Sequence, residues 1–414
     1  MPIQNFAELG LSEPLLHALK NTNYQQPTPV QSKAIPLLLR GEDLLGIAQT
    51  GTGKTAAFTL PLLHNLEKEN RSVTARHTRA LILAPTRELV VQIANSVKTY
   101  GRRTRLRHAV VIGGVGKAPQ INALRRGVDI LIATPGRLIE LIQDGHVNLS
   151  HANHFILDEA DRMLDMGFIR DIRRIVNTLP KRRQTQLFSA TMPKEIGVLA
   201  QDILCEPKRV EIGSQTVAVD RIDQQVHHLV AAAKHGRLME LLAGPEFKRV
   251  IVFTRTKRGA DKVVKRLGGD GVNAEALHGN KSQGARQQTL KNFRNGNLRV
   301  LVATDIASRG IDVDNVTHVV NYELPNVPEC YVHRIGRTAR AGASGCAISF
   351  CDESERPHLA SIERLIRMPL EVVGKKPSTD TPTSERRNFR GTKQRVPGKP
   401  KRRWSRRRAR QRAA

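Results

Sequence analysis

The segment AQTGTGKT, residues 48–55, has the residue types of a phosphate-binding loop. It lies between an apolar run, DLLGIA, and a helix-forming run, TAAFTLPLLHNL. Glycines in such a loop let backbone N–H groups surround phosphates at a helix N-terminus. Lys54 is placed to reach the β- and γ-phosphates, and the Thr55 hydroxyl can ligate Mg²⁺. The usual pattern begins with glycine where this chain has Ala48, but the phosphate-binding geometry does not depend on that position.

Three carboxylates lie within residues 158–161, directly after the apolar run HFIL. Beside a phosphate-binding loop, Asp158 can hold Mg²⁺, partly through water, and Glu159 can polarise an attacking water. Phosphoryl transfer also needs cations near the γ-phosphate. The run YVHRIGRTAR offers Arg337 and Arg340 for that purpose, although an arginine-rich run taken alone is more typical of a solvated face. Together these residues predict hydrolysis of a nucleoside triphosphate.

Short apolar runs must position these residues, and each is followed by a turn and a helix-period stretch, as in RALILAPTREL, VDILIATPGRL and TQLFSATMPKE. That alternation predicts βαβ units on a parallel sheet, with the loops at the carboxyl ends of the strands. The pattern becomes irregular near residues 205–223 and starts again with RVIVFTRTK and RVLVATDIAS. We therefore predict two tandem α/β domains, residues 1–206 and 223–373, joined by a linker at 207–222.

The 414-residue chain carries 67 Lys and Arg against 38 Asp and Glu, a net charge of +29. Residues 374–414 hold 16 of these cations and two acids, so 16 − 2 = +14 belongs to this segment. Its lack of apolar residues predicts a tail that is disordered when free. Cations mixed with Phe389 and Trp404 favour a tether for nucleic acid over a merely solvated tail. A nuclear-import signal in KPKRRWSRRRAR is the alternative.

Export and membrane insertion are not expected. No apolar run approaches the roughly 18 residues of a membrane span. The start MPIQNFAELG has neither the basic nor the apolar region of a signal peptide. The four cysteines form no CxxC pair, which is typical of free thiols in a reducing compartment. We expect a soluble, cytoplasmic protein.

Seven motifs, AQTGTGKT, PTREL, TPGR, DEAD, SAT, ATDIASRGID and HRIGRTAR, occur in this order over about residues 1–373. With them the chain resembles a DEAD-box RNA helicase of superfamily 2. The resemblance implies two RecA-like domains, each a parallel sheet flanked by helices. It also implies RNA-stimulated hydrolysis of ATP with Mg²⁺, separation of short RNA duplexes or remodelling of RNA–protein complexes, and a monomer. The compact core with a basic tail most resembles bacterial RhlE-type members, with a role in ribosome assembly or RNA turnover.

The resemblance assigns ATP-site residues one by one. Gln31 of the motif NYQQPTPVQ would contact the adenine base edge, and Tyr24 and Phe6 would shape its stacking surface. The other ATP-binding positions would be Ala48, Gln49, Thr50, Gly51, Thr52, Gly53, Lys54, Thr55 and Asp305. The catalytic positions would be Lys54, Asp158, Glu159, Arg337 and Arg340. Two departures are Asn23 and Ala339, which stand where relatives usually or often have glycine.

The resemblance also implies an RNA groove across both domains that contacts phosphates and riboses without selecting a sequence. Its positions would be Pro85, Thr86, Arg87, Gly113, Gly114, Thr134, Pro135, Gly136, Arg137, Thr254, Arg255, Gln283, Arg286 and Thr304. Asp161, Ser189, Thr191 and His333 would couple the acidic motif to domain closure. Taken singly, each short RNA motif is more typical of a helix cap or a turn.

Two alternative functions stay open from the sequence. One is a DNA-directed helicase or a strand annealer, since phosphate contacts and a basic tail discriminate weakly between nucleic acids. The other is an ATP-gated RNA clamp or assembly scaffold with little unwinding. The intact Glu159, Arg337 and Arg340 argue against an inactive scaffold.

Overall fold

The computed structural model describes residues 5–22, 24–49, 51–212, 222–305, 313, 315–339 and 345–374. These residues belong to one compact unit, Met1–Lys376. Thr50, Arg340, Asn23, most of the predicted linker and the predicted tail from residue 375 onward lie outside the described ranges. Within those ranges every helix is too short or too polar to cross a bilayer.

The first domain is built on a parallel sheet. Its described strands are β1 Leu44–Ile47, β2 Thr78–Leu83, β3 His108–Val111, β4 Val128–Ala133, β5 His154–Leu157, β6 Gln184–Ser189 and β7 Lys208–Glu211. They lie in the order β3-β4-β2-β5-β6-β1-β7. Every residue of β2, β4 and β5 is buried, as expected for parallel strands covered on both faces. Ile82 and Ile132 pack in one core cluster, and Leu81 and Leu131 in another, because successive side chains point to opposite faces.

Helices cover both faces of this sheet and start in the loops where the motifs lie. The described helices are α1 Glu13–Lys20, α2 Pro29–Leu39, α3 Lys54–Glu69, α4 Arg87–Tyr100, α5 Lys117–Leu124, α6 Pro135–Gln143, α7 Ala160–Asp165, α8 Ile169–Val176 and α9 Lys194–Ile203, with 3₁₀ turns at Phe6–Leu9 and Gly101–Arg103. Thr86 caps α4, where its hydroxyl accepts a hydrogen bond from the Leu89 backbone N–H at 3.2 Å. Pro135 occupies the first turn of α6, where its missing N–H costs nothing. The motif residues therefore also define the local structure.

The second domain repeats the topology of the first. Its described strands are β8 Ile222–His228, β9 Val250–Phe253, β10 Ala274–Leu277, β11 Val300–Ala303, β12 His318–Asn321, β13 Gly345–Cys351 and β14 Glu371–Val372. Its described helices are α10 Lys234–Ala243, α11 Lys257–Gly269, α12 Gln283–Arg294, α13 Pro328–Ile335 and α14 Arg356–Ile366, with 3₁₀ turns at Ala231–Ala233 and Glu353–Glu355. The strand order is β10-β11-β9-β12-β13-β8-β14, the order of the first sheet with each number raised by seven. This confirms the predicted fold class of two parallel α/β domains in tandem.

Strand β7 lies inside the segment that the sequence predicts as linker, residues 207–222. It pairs in parallel with β1, so the first sheet extends to Glu211. Only Val210 of β7 is buried, and the other three residues are exposed. A short, charged edge strand of this kind has no apolar run, so the pattern of the sequence does not separate it from a linker.

Candidate active site

The phosphate-binding loop joins β1 to α3. Gly51 and Gly53 both have left-handed backbone conformations, with φ of +87° and +93°, and Gly53 is the residue that precedes the first turn of α3. Lys54 is buried, and its Nζ donates a hydrogen bond to the Ala48 carbonyl oxygen at 2.5 Å. The Thr52 hydroxyl donates to the Gln49 carbonyl at 2.7 Å. These hydrogen bonds hold the lysine ammonium across the described part of the loop.

Gln31 supports this loop from α2. Its Nε2 donates to the Gly53 carbonyl at 3.1 Å, and its Oε1 accepts from the Thr28 backbone N–H at 2.9 Å. Gln31 is fully buried, and a Cβ at Gly53 would lie only 2.5 Å from its Nε2. The sequence predicts contact between Gln31 and an adenine edge, whereas the structure places its amide on the loop backbone. The adenine contact stays a prediction.

An aromatic cluster lies beside this motif. The ring centroids of Phe6 and Tyr24 are 6.2 Å apart, and those of Tyr24 and Tyr100 are 6.1 Å apart in an edge-on arrangement. Phe6 is buried, whereas Tyr24 is 38% exposed. Burial raises the pKa of the Tyr100 phenol above its usual value. The arrangement leaves Tyr24 as the aromatic surface on which a planar ligand can stack.

The acidic motif follows β5, and both Asp158 and Glu159 are buried. The Glu159 backbone has φ of +54°, a left-handed conformation that costs a residue with a side chain of order 1–3 kcal/mol. Its N–H donates to Asp158 Oδ1 at 2.9 Å, and its Oε2 lies 3.1 Å from Nη1 of the buried Arg162. Burial raises the pKa of Asp158 to about 7, against the opposing effect of the Lys54 ammonium. A bound cation would therefore offset the cost of burying the ionised Asp158 carboxylate.

Asp161 joins the acidic motif to the SAT motif at the end of β6. Its Oδ2 accepts hydrogen bonds from the backbone N–H groups of Ala190 and Thr191 at 3.1 and 2.9 Å and from the Thr191 hydroxyl at 3.1 Å. The Ser189 hydroxyl accepts from the Asp161 backbone N–H at 3.3 Å. Burial acts to raise the pKa of Asp161. The nearby charges of Lys54, Arg162 and His333 outweigh burial and hold this pKa below its usual value. The structure thus brings three of the predicted coupling residues into direct contact.

The second domain completes this region. A small cavity of about 40 Å³ between the domains is lined by Gln49, Arg162, Ala190, Thr191, Val332, His333, Gly336 and Arg337. Arg337 is buried, and its Nε donates to the His333 carbonyl at 3.2 Å. Ala339, the departure from glycine, has a left-handed φ of +55°. Glycine would adopt this backbone conformation at lower cost, because it has no β-carbon to crowd the neighbouring carbonyl.

Asp305 and Arg334 form a two-pronged ion pair in the second domain. Arg334 Nε and Nη2 donate to the two carboxylate oxygens of Asp305 at 2.6 and 2.8 Å. Arg334 is almost completely buried and also donates to the carbonyl of Glu323 at 2.7 Å. The sequence predicts Asp305 at the nucleotide, whereas here its two oxygens bind Arg334. Arg334 is not among the residues that the sequence predicts for the site, although it lies in the arginine-rich motif HRIGRTAR.

A cleft of about 380 Å³ gathers most of the predicted RNA positions, and we call it the RNA cleft. The predicted residues that line it are Pro85, Thr86, Arg87, Gly113, Thr134, Gly136, Arg137 and Arg286. Glu88, Glu140, Met166, Phe168 and Gly279 also line it and were not predicted. Gly114, with φ of +76°, packs under the Arg87 guanidinium, and a Cβ there would lie 2.0 Å from Arg87 Nη1. The cleft combines basic groups, hydroxyls and backbone at the carboxyl ends of the strands.

Glu88 bridges the two domains at this cleft. Its Oε2 lies 3.0 Å from Arg286 Nη2, and its Oε1 accepts from Gln283 Nε2 at 3.0 Å. Arg87 Nη1 in turn donates to Gln283 Oε1 at 3.4 Å. Glu88 is not among the positions that the sequence predicts for the RNA groove. The structure shows that it holds two residues of the opposite domain.

Three predicted RNA positions of the second domain either have protein partners or are buried. The Arg255 backbone N–H donates to Glu323 Oε2 at 2.7 Å, and its Nη2 lies 3.4 Å from Glu355 Oε1. Thr254 is fully buried and donates to the Thr256 carbonyl at 3.2 Å, and Thr304 is nearly buried. None of the three is among the residues that line the RNA cleft. Their contact with RNA stays a prediction.

Comparisons with known proteins agree with this geometry. The model of the family "DEAD/DEAH box helicase" matches residues 28–198, and that of the "Helicase conserved C-terminal domain" matches residues 233–342. The chain is 41% identical over 374 residues to the DEAD-box ATP-dependent RNA helicase 30 of Arabidopsis thaliana, which covers 90% of this chain and 63% of that protein. It is 42% identical over 363 residues to the ATP-dependent RNA helicase CshA of Limosilactobacillus reuteri, with 88% and 72% covered. The chain thus spans less than two thirds of the plant relative.

A solved structure shares the arrangement of both domains. The S. cerevisiae protein Dbp5 bound to RNA and ADP BeF3 superposes with a TM-score of 0.80 at 33% sequence identity. The match covers 89% of this chain and 95% of that one. Because a superposition over both domains depends on how they are placed, the present arrangement is close to that of the ligand-bound Dbp5.

Proposed function

Because the chain belongs to the DEAD/DEAH box helicase family, we propose that it is an ATP-dependent RNA helicase with RNA-stimulated ATP hydrolysis. It separates short RNA duplexes locally or remodels RNA–protein complexes. One observation carries the proposal. Gln49, Arg162 and Thr191 of the first domain meet His333 and Arg337 of the second around one cavity. A hydrolytic site that needs both domains makes ATP turnover depend on domain closure.

The residues of the first domain bind the nucleotide in this proposal. Lys54 and the loop N–H groups hold the phosphates, and the Thr55 hydroxyl and the Asp158 carboxylate would hold Mg²⁺. Both are hard oxygen donors, and the burial that raises the pKa of Asp158 favours a cation beside it. When bound, Mg²⁺ would neutralise the charge that develops on the phosphate oxygens. Glu159 orients the attacking water, and Arg337 stabilises the charge on the γ-phosphate, together with Arg340 as the resemblance implies.

RNA binds in the RNA cleft, which includes Arg87 and Arg137 of the first domain and Arg286 of the second. Phosphate contacts of this kind position a strand without selecting its sequence. ATP and RNA each gain contacts from both domains, so each favours the closed arrangement, and the two together favour it most. A strand bent in the closed cleft cannot remain in a regular duplex. The likeness to Dbp5 bound to RNA and ADP BeF3 supports RNA as the ligand.

We also propose a branch of the family, a cellular process, a location and an oligomeric state for this protein. The basic tail supports the RhlE-type branch, and with it a role in ribosome assembly or RNA turnover in the cytoplasm, as a monomer. The plant and bacterial relatives are named DEAD-box ATP-dependent RNA helicase 30 and CshA, and neither name is that of an RhlE-type protein. RNA that co-purifies with the protein from cells would distinguish ribosomal precursors from messenger RNA.

The deciding experiment is steady-state ATP hydrolysis without nucleic acid, with single-stranded RNA, and with single-stranded DNA of the same sequence, at fixed salt. Strong stimulation by RNA alone is the expected result. Glu159→Gln serves as the control for contaminating hydrolysis. Equal stimulation by DNA would mean that the protein acts on nucleic acids in general and not specifically on RNA. No hydrolysis in any condition would favour an ATP-gated clamp.

A further inference from the structure

A second basic surface lies on the first domain, away from the RNA cleft. Residues 98–128 contain eight Lys and Arg and no Asp or Glu. Arg102, Arg103, Arg105 and Arg107 of this stretch directly precede β3, so they lie at the amino end of the first sheet. The RNA cleft instead lies at the carboxyl ends, near Gly113. Six extended residues at about 3.3 Å each separate the two regions by roughly 20 Å.

Two cavities make this surface concave. One of about 520 Å³ is lined by Arg71, Arg79, Arg103, Arg105 and Arg107, among others. Another of about 580 Å³ is lined by Lys98, Arg102 and Arg103, with the amide side chains of Asn21 and Asn95. Because Arg103 lines both, the cavities adjoin, and we call them together the amino-edge cleft.

Three carboxylates lie in or near this cleft. Glu67 lines the cavity that also contains Arg79, and its Oε2 accepts a hydrogen bond from the Ser12 hydroxyl at 3.3 Å. Asp129 Oδ1 lies 3.0 Å from Arg79 Nη1, and its Oδ2 accepts from the Arg107 backbone N–H at 2.8 Å. Glu69 binds Arg79 at 3.0 Å from its other side. Arg79 is therefore engaged by two acids. Against the three acids, the two cavities are lined by seven Lys and Arg side chains, so the cleft keeps an excess of positive charge.

The rim cations lack such partners. Across the described part of the chain, none of the ion pairs involves Arg71, Arg103, Arg105 or Arg107, and all four residues are exposed. Like charges held close together repel one another unless a polyanion lies between them. Planar guanidinium groups match phosphate oxygens in charge and in geometry.

We propose that the amino-edge cleft binds a second segment of RNA through its phosphates, the part of the strand that extends beyond the RNA cleft. The proposal rests on the proposed function. The amides of Asn21 and Asn95 supply hydrogen bonds for ribose hydroxyls. The chain's own tail is excluded as the occupant, because its charge of +14 has the same sign as the cleft.

An acidic protein is the less favoured occupant. Stable protein interfaces have an apolar centre, often with aromatic side chains. The large hydrophobic residues that are exposed in the described ranges are Tyr24, Val115, Val198, Val230, Val327 and Met368. None of them lines either cavity of the amino-edge cleft. A basic, polar and concave surface is typical of backbone contacts to nucleic acid.

The test compares two triple variants of the full chain that lose the same charge. Arg103→Gln, Arg105→Gln and Arg107→Gln alter the amino-edge cleft. The control, Arg356→Gln, Arg364→Gln and Arg367→Gln, alters exposed arginines at the last helix of the second domain. Binding is measured across a salt series for a short RNA that fills only the RNA cleft and for a longer RNA. Thermal unfolding midpoints verify that both variants are folded.

The cleft variant should bind the longer RNA more weakly and with a salt slope that is flatter by about 2, or about 0.7 for each lost phosphate contact. Its binding of the short RNA and its ATPase rate at saturating short RNA should match those of the control variant. Equal slopes for the two variants on the longer RNA would overturn the proposal. Binding of polyglutamate, a probe for an acidic protein, is measured in parallel. If the cleft variant loses polyglutamate binding but keeps RNA binding, the cleft would be assigned to an acidic protein instead.

The outcomes also separate this proposal from the proposed function. Wild-type ATPase that RNA does not stimulate contradicts the proposed function, and the salt slopes still decide the role of the cleft. RNA-stimulated ATPase together with equal salt slopes for the two triple variants contradicts only the proposal that the amino-edge cleft binds RNA.

Discussion

Glu88 and Arg286 form an ion pair between the two domains, with 3.0 Å from Oε2 to Nη2. Their side chains are 4% and 9% exposed, so the pair is largely screened from water in this arrangement. Separation of the domains would return both charges to solvent. The pair therefore contributes to the equilibrium of closure more than to the stability of either domain.

We expect Glu88→Gln to weaken closure by about tenfold, or about 1.4 kcal/mol, because it leaves the Arg286 guanidinium buried beside a neutral amide. The apparent affinity for RNA in the presence of ATP should fall by this factor, while the unfolding midpoint changes little. Fluorescence energy transfer between the domains measures closure directly. The control is Arg173→Gln, which breaks an exposed ion pair with Asp202 inside the first domain. Equal closure in both variants would contradict the role of Glu88.

Lys54 and Glu159 should separate binding of ATP from its turnover. Lys54→Ala removes the ammonium that lies across the phosphate loop, so ATP binding should weaken by tenfold or more. Glu159→Gln keeps the shape of the site, so binding should persist while turnover falls by at least about a hundredfold. Nucleotide titration and single-turnover hydrolysis measure the two effects. Undiminished turnover in Glu159→Gln would refute the role assigned to this carboxylate.

Gln31 should act through the loop that it supports. Gln31→Ala removes the hydrogen bond to the Gly53 carbonyl and leaves the Thr28 N–H without its acceptor. We expect a loss of about 1–3 kcal/mol in the stability of the first domain, together with weaker ATP binding. Comparison of ATP with GTP then distinguishes the roles. If Gln31 acts only on the loop, both nucleotides lose the same affinity, whereas a base contact would make the loss larger for ATP.

The tail should add affinity for RNA without adding catalysis. A chain truncated after Gly374 loses Lys and Arg in large excess over acids. We expect weaker RNA binding and a salt slope that is flatter by at least about 2, since each lost phosphate contact on a single strand accounts for about 0.7. The maximal RNA-stimulated ATPase rate should stay nearly constant. An unchanged salt slope would contradict the role of the tail as a tether for RNA.

Glu69 should make the first domain sensitive to acid. Hydrogen bonds from His154 and Arg79 lower its pKa to about 2, although partial burial acts in the opposite direction. Because this pKa lies below the usual value, the stabilisation is complete above about pH 4.5 and is lost as the pH falls toward 2. Glu69→Gln should cost about 1–2 kcal/mol at neutral pH and almost nothing near pH 2. Urea unfolding at a series of pH values, followed by circular dichroism, tests this convergence.

The architecture was predictable because its signals are local. A buried parallel strand is a short apolar run, and the loop after it begins with the residue types of a motif, as β2 and PTREL show. The order of the motifs then places them on one edge of each sheet. Strand β7 was missed because a charged edge strand of four residues lacks that apolar run.

The sequence predicts that the two domains share the ATP site and the RNA groove, but not which side chains pair across them. Glu88 and Gln283 are 195 residues apart, and their hydrogen bond depends on how the two domains are placed. The partner of Gln31 was missed for a related reason, since a buried amide can bind either a ligand or a neighbouring backbone carbonyl. The pairing of Asp305 with Arg334 likewise needs the fold of the second domain.

The two sheets share no described strand, and all strands of the first precede those of the second along the chain. All described strands of the first sheet are therefore synthesised before those of the second. At roughly 5–20 residues per second, translation of residues 222–374 takes roughly 8–30 s after the first domain has been made. During this time the first domain can complete its own core without any segment of the second. The first sheet thus needs no strand from the second domain, and the two domains can dock only after the second has been synthesised.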